Sequence, residues 1–432
     1  MDNQEHKVIM DEENETKEET KDNLVATRGA LPLDWTRVQP SSRPAGAVLQ
    51  EKEEHDPEST HPSSVVRYPW DVADFSKQDE ELIIVGTAGQ KITRMGIDLG
   101  DHLSLHLKQL VLRSHLIRTM EGLSTFAELE LLELYDNMID ALQALGEGVN
   151  GAPGSTLRVL DMSYNVIRDM TPVQQCPNLR ELYLANNKLK SMAGLKGLSN
   201  LVKLDLGANR IRVMDEEELS GLVNLEELWL GKNKIEVIGG LQKLTKLRRL
   251  DIQSNRLTSV ESLSTQVDTL EELYLAHNGI TDEGASMPTG LALPFSNLST
   301  VDLSRNVLTT TQHFEHLASL DELWLSGNKI ESFEVVQPLS KIPALDAVYL
   351  EYNPVAKEFE YRKKLKEMIP SLNQIDATLI QGLAAHGIAP NPTVRTAETL
   401  EEQMRRMQNV VVEKARQQQQ QDSAAKGKGE DK

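Results

Sequence analysis

From Leu107 to Val355 the chain repeats one pattern of apolar and polar positions. The segment LRELYLANNKL at 179–189 returns as LVKLDLGANRI (201–211), LEELWLGKNKI (225–235), LRRLDIQSNRL (247–257), LEELYLAHNGI (270–280) and LDELWLSGNKI (320–330). Looser copies start at 107, 129, 157, 298 and 345. All share L-x-x-L-x-L-x-x-N-x-I, with Asn at 137, 165, 187, 209, 233, 255, 278, 306, 328 and 353 and His115 in its place in the first copy. The alternating leucines of each L-x-L have the period of a short strand with one buried face. One unit cannot bury its leucines alone, so the units must stack around one aliphatic core.

Successive Asn positions lie 22 to 28 residues apart, and five of the ten intervals are 22. This period and motif are the leucine-rich-repeat signature. The predicted fold class is α/β: a right-handed leucine-rich-repeat solenoid of about eleven repeats of 22–28 residues, with a concave parallel sheet and a C-terminal helical cap. Ten gaps of ~4.8 Å make that sheet roughly 48 Å long. The asparagines are expected to turn inward and pair backbone groups where each strand ends. The two 28-residue intervals mark insertions, GEGVNGAPGS (146–155) and DEGASMPTGLALP (282–294), whose Gly and Pro predict loops.

The organisation follows. Residues 1–60 read as an acidic, disordered extension, since they carry too little apolar surface to offset ordering entropy. Residues 61–106 read as an N-terminal cap, with the Tyr68, Trp70 and Phe75 cluster and the apolar run at 81–86, followed by a degenerate first coil at 95–105. Repeats occupy 107–355, and 356–382 form the C-terminal cap: Pro354 stops the last coil, and Tyr361, Leu365, Met368 and Ile369 are spaced on one helical face to cover the core. In the tail, 383–432, Thr399 and Glu402 form a capping box for a helix over 399–421, before a Gln-rich, charged end.

Composition sharpens this picture. Sixty-six acidic side chains against 46 basic ones give −20, of which residues 1–60 carry −8 and 383–432 carry +1, leaving −13 for the folded middle. So acidic a chain repels phosphate backbones and anionic lipid, and no localised basic patch is visible along the sequence, which argues against nucleic acid and membranes as partners. Aromatics make up only 4%, as an aliphatic core permits. The one cysteine, Cys176, excludes an internal disulfide framework and a cysteine-based zinc site, and no apolar run approaches the ~20 residues of a membrane span. The expectation is a soluble, intracellular protein.

The residue between the two strand leucines points into the groove. Down the repeats this column reads Val111, Glu133, Asp161, Tyr183, Asp205, Trp229, Asp251, Tyr274, Asp302, Trp324 and Tyr349, alternating acid and aromatic from Asp161 to Trp324. A column two residues earlier adds Glu181, Glu227, Glu272 and Glu322. Solvated strand positions account for acids but not for aromatics on an open sheet. Aromatic anchors among carboxylates are the composition of a protein interface, and the matching partner presents basic residues beside apolar pockets. Stacked aromatics with carboxylates also suit a sugar, which the cytosolic signals argue against.

Signals for catalysis are poor. The chain has no Walker or dinucleotide glycine loop, no HExxH and no GxSxG. His313 and His316 form a close histidine pair without a third ligand near in sequence, so no metal is expected. The groove carboxylates are expected to lie open to solvent, where nothing raises a pKa. Cys176 reads as a packed or partly exposed thiol. Neither a catalytic residue nor a cofactor site is predicted.

The strings YLANNKL, LDLGANRIR, LWLGKNKI, LDIQSNRLT, LYLAHNGI and YLEYNPV, with the ending YRKKLKEMIPSLNQIDAT, resemble the leucine-rich regulatory subunit seven family of protein phosphatase 1 over about residues 90–380. The resemblance implies a non-catalytic subunit that binds the phosphatase catalytic subunit through its concave face, associates with a further inhibitor subunit, and works in the nucleus and cytoplasm in phosphatase maturation and chromosome segregation. Family contact positions match at Asp161, Tyr183, Asp205, Trp229, Asp302, Glu322, Trp324 and Tyr349, with Tyr183 and Trp229 replacing phenylalanine. The two insertions and both terminal extensions depart from the family pattern, and no RVxF docking segment is present, RVLDM (158–162) lying inside a repeat. The alternative is a leucine-rich scaffold for cytoskeletal, ciliary or ribonucleoprotein assembly that uses its tails.

Overall fold

The computed structural model describes residues 66–146 and 153–380. The acidic extension 1–60 and the tail helix expected over 399–421 lie outside the described residues. Each repeat contributes a short strand, and the strands join one sheet in sequence order. They are β1 (Glu81–Val85), β2 (Gln109–Arg113), β3 (Leu131–Glu133), β4 (Val159–Asp161), β5 (Glu181–Tyr183), β6 (Lys203–Asp205) and β7 (Glu227–Trp229). The series continues with β8 (Arg249–Asp251), β9 (Glu272–Tyr274), β10 (Thr300–Asp302), β11 (Glu322–Trp324), β12 (Ala347–Tyr349), β13 (Gln374–Ile375) and β14 (Thr378–Leu379). Every pairing is parallel except β13 with β14. This is the leucine-rich-repeat solenoid expected from the period.

The strand leucines face inward and are fully buried from coil to coil, as at Leu182, Leu204, Leu228 and Leu250. The return path on the convex side holds 3-10 turns and short helices: α1 (Leu99–His102), α2 (Glu216–Leu219), α3 (Asp282–Ala285) and α4 (Phe333–Val336). Cys176 sits inside this core with its thiol pushed up to about 12 by burial, a packed residue rather than a partly exposed one.

The asparagines do what the motif predicts. Asn187 donates from Nδ2 to Met162 O of the preceding coil (3.0 Å) and Leu184 O of its own (3.1 Å), and its Oδ1 accepts Ile167 N–H (3.0 Å). Each Asn thus satisfies backbone groups on two coils that a strand exit would otherwise bury unpaired. The residue before it is left-handed in every repeat, from Ser114 (φ 59°) to Tyr352 (φ 61°). His115 reproduces the pattern with a ring: Nδ1 accepts Ile92 N–H (3.2 Å) and Nε2–H faces Ile84 O (3.2 Å). Burial pushes its pKa down to about 4, so the ring is neutral and the tautomer is the one these bonds require.

The first coil differs from expectation. Its strand is β1, whose Ile83 pairs in register with Val111. Residues 95–105 carry α1 on the convex return, because Leu99 and Leu103 bury as a helical pair rather than alternating. Tyr68 stacks on Trp70 (4.7 Å) and Trp70 on His102 (3.8 Å) outside this coil. Gly96, at φ +93°, lies under that stack, where a Cβ would meet the Trp70 ring at 2.5 Å. At the other end α5 (Tyr361–Met368) buries Tyr361 and Leu365, with Ile369 just beyond and Met368 packed at the edge. The insertion at 282–294 is not wholly loop: Thr281 caps α3 by accepting Gly284 N–H. The same segment lies against the preceding coil so closely that a Cβ on Gly284 would come within 2.0 Å of Thr258 O.

Candidate functional site: the concave face

The register places the expected column in one line. Successive pairs run Val111–Glu133–Asp161–Tyr183–Asp205–Trp229–Asp251–Tyr274–Asp302–Trp324–Tyr349, and Ile83 extends the line at its N-terminal end. Acid and aromatic therefore alternate from strand to strand across the middle of the groove. Trp324 and Tyr349, side by side at its C-terminal end, tilt against each other with ring centroids 4.8 Å apart.

The expectation of open, solvated carboxylates is overturned. Asp161 and Asp302 are each 7% exposed, and Asp205, Asp251, Tyr183, Trp229, Trp324 and Tyr349 are all partly buried. Each aspartate stands beside at least one ring on an adjacent strand, a crowding that the sequence reading did not consider. Burial is the leading cause that pushes Asp205 up to about 7 and Asp251 up to about 6, and the neighbouring carboxylates add to it. Asp302 is raised by burial as well. Local hydrogen bonds oppose the rise. Oδ1 of each aspartate accepts the backbone N–H two residues on: Ser163 (3.0 Å), Gly207 (2.8 Å), Gln253 (2.9 Å) and Ser304 (2.9 Å). One oxygen is thus committed to the turn that ends the strand.

The neighbouring column holds cations that the sequence reading passed over. Its order is Glu181, Lys203, Glu227, Arg249 and Glu272. Lys203 lies 3.3 Å from Glu227, and Arg249 bonds Glu272 with Nε and Nη2 at 2.8 Å each. Tyr183 and Tyr274 donate their hydroxyls to Glu181 and Glu272, both at 2.7 Å. Three of the four glutamates picked out in that column are therefore bound into a network. The signal was present in KLD and RLD, but only the register shows those residues beside glutamates.

Glu322 differs, having Thr300 and Ala347 as strand neighbours instead of cations. Burial first, then Asp321, raises its pKa. The buried indole N–H of Trp324 stops short of a hydrogen bond, although its proximity to Glu322 opposes that rise. The C-terminal half of the groove thus gathers Asp302, Glu322, Trp324 and Tyr349 without a cation among them. At the N-terminal end the sign is compensated, as Arg113 pairs with Glu133 at 2.6 Å and lies over the Tyr135 ring.

Among the described residues no group of three His, Cys, Asp or Glu side chains could hold a metal ion. His313 instead bonds Ser286 Oγ through Nδ1 (2.7 Å), with Nε2 3.5 Å from Asp282, which fastens the second insertion to the next coil. No helix among them is long and apolar enough to cross a membrane.

Comparison with known proteins agrees with this geometry. The family description "Leucine rich repeat" matches residues 177–235, 199–257 and 268–330, and a two-copy description matches 155–197. A protein phosphatase 1 regulatory inhibitor subunit homologue of Arabidopsis thaliana is 37% identical over 109 residues, 25% of this chain and 32% of that protein. A protein phosphatase 1 regulatory subunit of Schizosaccharomyces pombe is 45% identical over 67 residues, 15% of this chain and 20% of the other. The acidic leucine-rich nuclear phosphoprotein 32 family member A of Drosophila pseudoobscura pseudoobscura is 32% identical over 120 residues, covering 28% and 43%. The chain thus spans less than half the length of each of these relatives. Among solved structures, a leucine-rich-repeat protein of Leptospira interrogans superposes with a TM-score of 0.58 at 24% identity, over 69% of this chain and 72% of that one, a likeness of fold. The chain folds as a leucine-rich-repeat solenoid, and its repeats are similar to those of regulatory subunits of protein phosphatase 1.

Proposed function

We propose that the protein is a non-catalytic regulatory subunit that binds the catalytic subunit of a type 1 serine/threonine phosphatase through its concave face. The observation that carries this reading is the single line of alternating acids and rings from Asp161 to Trp324, continued by Tyr349, with the uncompensated acids Asp302 and Glu322 beside Trp324. Rings supply apolar area at low entropic cost, and desolvated carboxylates around them reward a partner that brings basic side chains. Similarity to named phosphatase regulatory subunits supports that choice of partner. Asp161, Tyr183, Asp205, Trp229, Asp251, Tyr274, Asp302, Glu322, Trp324 and Tyr349 are the proposed contact residues. A further inhibitor subunit and a place in nucleus and cytoplasm belong to the same reading.

The test is capture of recombinant catalytic subunit by the full chain and by a Trp229→Ala/Trp324→Ala variant. Each buried tryptophan should contribute about 2 kcal/mol, so the variant should bind at least a hundredfold more weakly. Undiminished capture by the variant would remove the groove from the interface. Absence of capture by the unaltered chain would remove the phosphatase.

A further inference from the structure

The sequence reading found no localised basic patch, yet folding builds one. Lys188, Arg210, Lys234 and Arg256 each follow the motif asparagine on four consecutive coils. The backbone stacks them: Arg210 N–H bonds Leu189 O, Lys234 N–H bonds Ile211 O and Arg256 N–H bonds Ile235 O, all at 2.8 Å. Lys190 and Arg212, two residues after the first pair, widen the row on the same flank, at the C-terminal ends of the strands. All six are exposed or partly exposed. Residues 22 to 24 apart in sequence thus become neighbours about 5 Å apart along the solenoid.

Two other sets of charges in this solenoid are neutralised by neighbours. On the opposite flank Lys108 pairs with Glu80 (2.8 Å), Arg158 with Glu130 (3.4 Å) and Arg248 with Glu271 (2.8 Å). In the groove Lys203 and Arg249 alternate with glutamates. Of these six, among the described residues, only Arg256 has an acid within 4 Å, Glu236 at 3.9 Å with both side chains well exposed. Like charges stacked at strand spacing repel one another, so the row is a local cost to the fold that an anionic ligand would relieve.

We infer that this flank is a second interaction surface, independent of the groove, which binds a short Asp/Glu-rich peptide segment of a partner protein. The dimensions favour a short ligand. Four coils span about 14 Å, the reach of four to five residues of extended chain at ~3.4 Å each. The rest of a chain with net charge −20 repels a long polyanion beyond that stretch, and the six cations include no aromatic platform for bases. The arginines can also take a carboxylate with two parallel N–H groups.

The experiment measures fluorescence anisotropy of labelled hexaglutamate with the full chain at low salt. Binding that weakens steeply as salt rises is expected. A Lys188→Glu/Arg210→Glu/Lys234→Glu variant should lose roughly ten-fold or more in affinity. A control of equal net charge, Lys196→Glu/Lys243→Glu/Lys357→Glu, should lose far less. The neutral Gln versions of the ridge triple give the same reading without new acids, and thermal melts confirm folding of each. Equal weakening by ridge and control triples, or no binding by the unaltered chain, would overturn the inference. Tighter binding of an eight-nucleotide single strand than of the peptide would overturn the choice of ligand.

Discussion

Arg249 grips Glu272 with two parallel hydrogen bonds of 2.8 Å across adjacent strands. Both side chains are about four-fifths buried on the concave face, so the pair is screened less than a surface ion pair. Arg249→Ala is expected to destabilise the chain by roughly 1–2 kcal/mol, since it leaves the largely buried Glu272 without its cation. Adding Glu272→Ala should recover part of that loss. Chemical denaturation of the two single variants and the double variant measures the coupling, and simple additivity would count against the network.

Asp205 offers a test by pH. Its folded pKa, near 7, lies above the unfolded carboxylate value of 3.8, so between those values the native state holds the extra proton. Its burial therefore costs nothing below about pH 4 and costs progressively more as pH rises through 7. Asp205→Asn keeps an acceptor for Gly207 N–H and removes the charge. The variant should gain on the order of 1 kcal/mol at pH 8 and nothing near pH 4. Unfolding midpoints at the two values decide it.

The same titration reaches the proposed phosphatase complex. Basic partner groups favour ionised Asp205 and Asp251, so binding should release protons and tighten from pH 5.5 to 8, with most of the change between 6 and 7. Affinity measured across that range in the Asp205→Asn/Asp251→Asn background should be flatter. An unchanged profile would mean that these two carboxylates do not face the partner.

His115 shows the opposite sign. Its folded pKa, near 4, lies below the unfolded value of 6.5, so the stability it supports is complete above 6.5 and is lost as pH falls through 4. His115→Asn restores the group found in the other repeats and cannot protonate in this range. Amide protection factors across 81–92, corrected for the intrinsic pH dependence of exchange, should fall in acid for the unaltered chain and much less for the variant.

An interior ladder residue is less forgiving. Asn209 accepts Leu189 N–H and donates to Leu184 O and Leu206 O. Asn209→Ala should cost about 2–3 kcal/mol by leaving buried backbone groups unpaired. A smaller loss in denaturant titration would indicate that water replaces the side chain.

The strands from β2 to β12 were legible because one apolar period repeats in register. β1 was not, since ELIIV lacks the asparagine that marks the other coils, and its proper neighbour lies 28 residues away at Gln109–Arg113. The acid/aromatic line was readable for the same reason as the strands. What it does chemically was not, because the burial of Asp205 arises only when the coils stack and set it between the strands of Tyr183 and Trp229. Left-handed backbone at Ala208, Lys232 and Arg305 has no signal in residue type, as the coil exit imposes it whatever the side chain. The cationic flank escaped notice because sequence distance hides what stacking brings together.

The hairpin of β13 and β14 gives the sheet a direction. Coils add by offering a parallel edge to the next one, and β14 runs the other way. Its two exposed residues present a short edge that cannot template another coil in register. The molecule is therefore a ruler with a stop at one end: its reach is set by the number of coils it encodes, and end-to-end chaining through that edge is blocked.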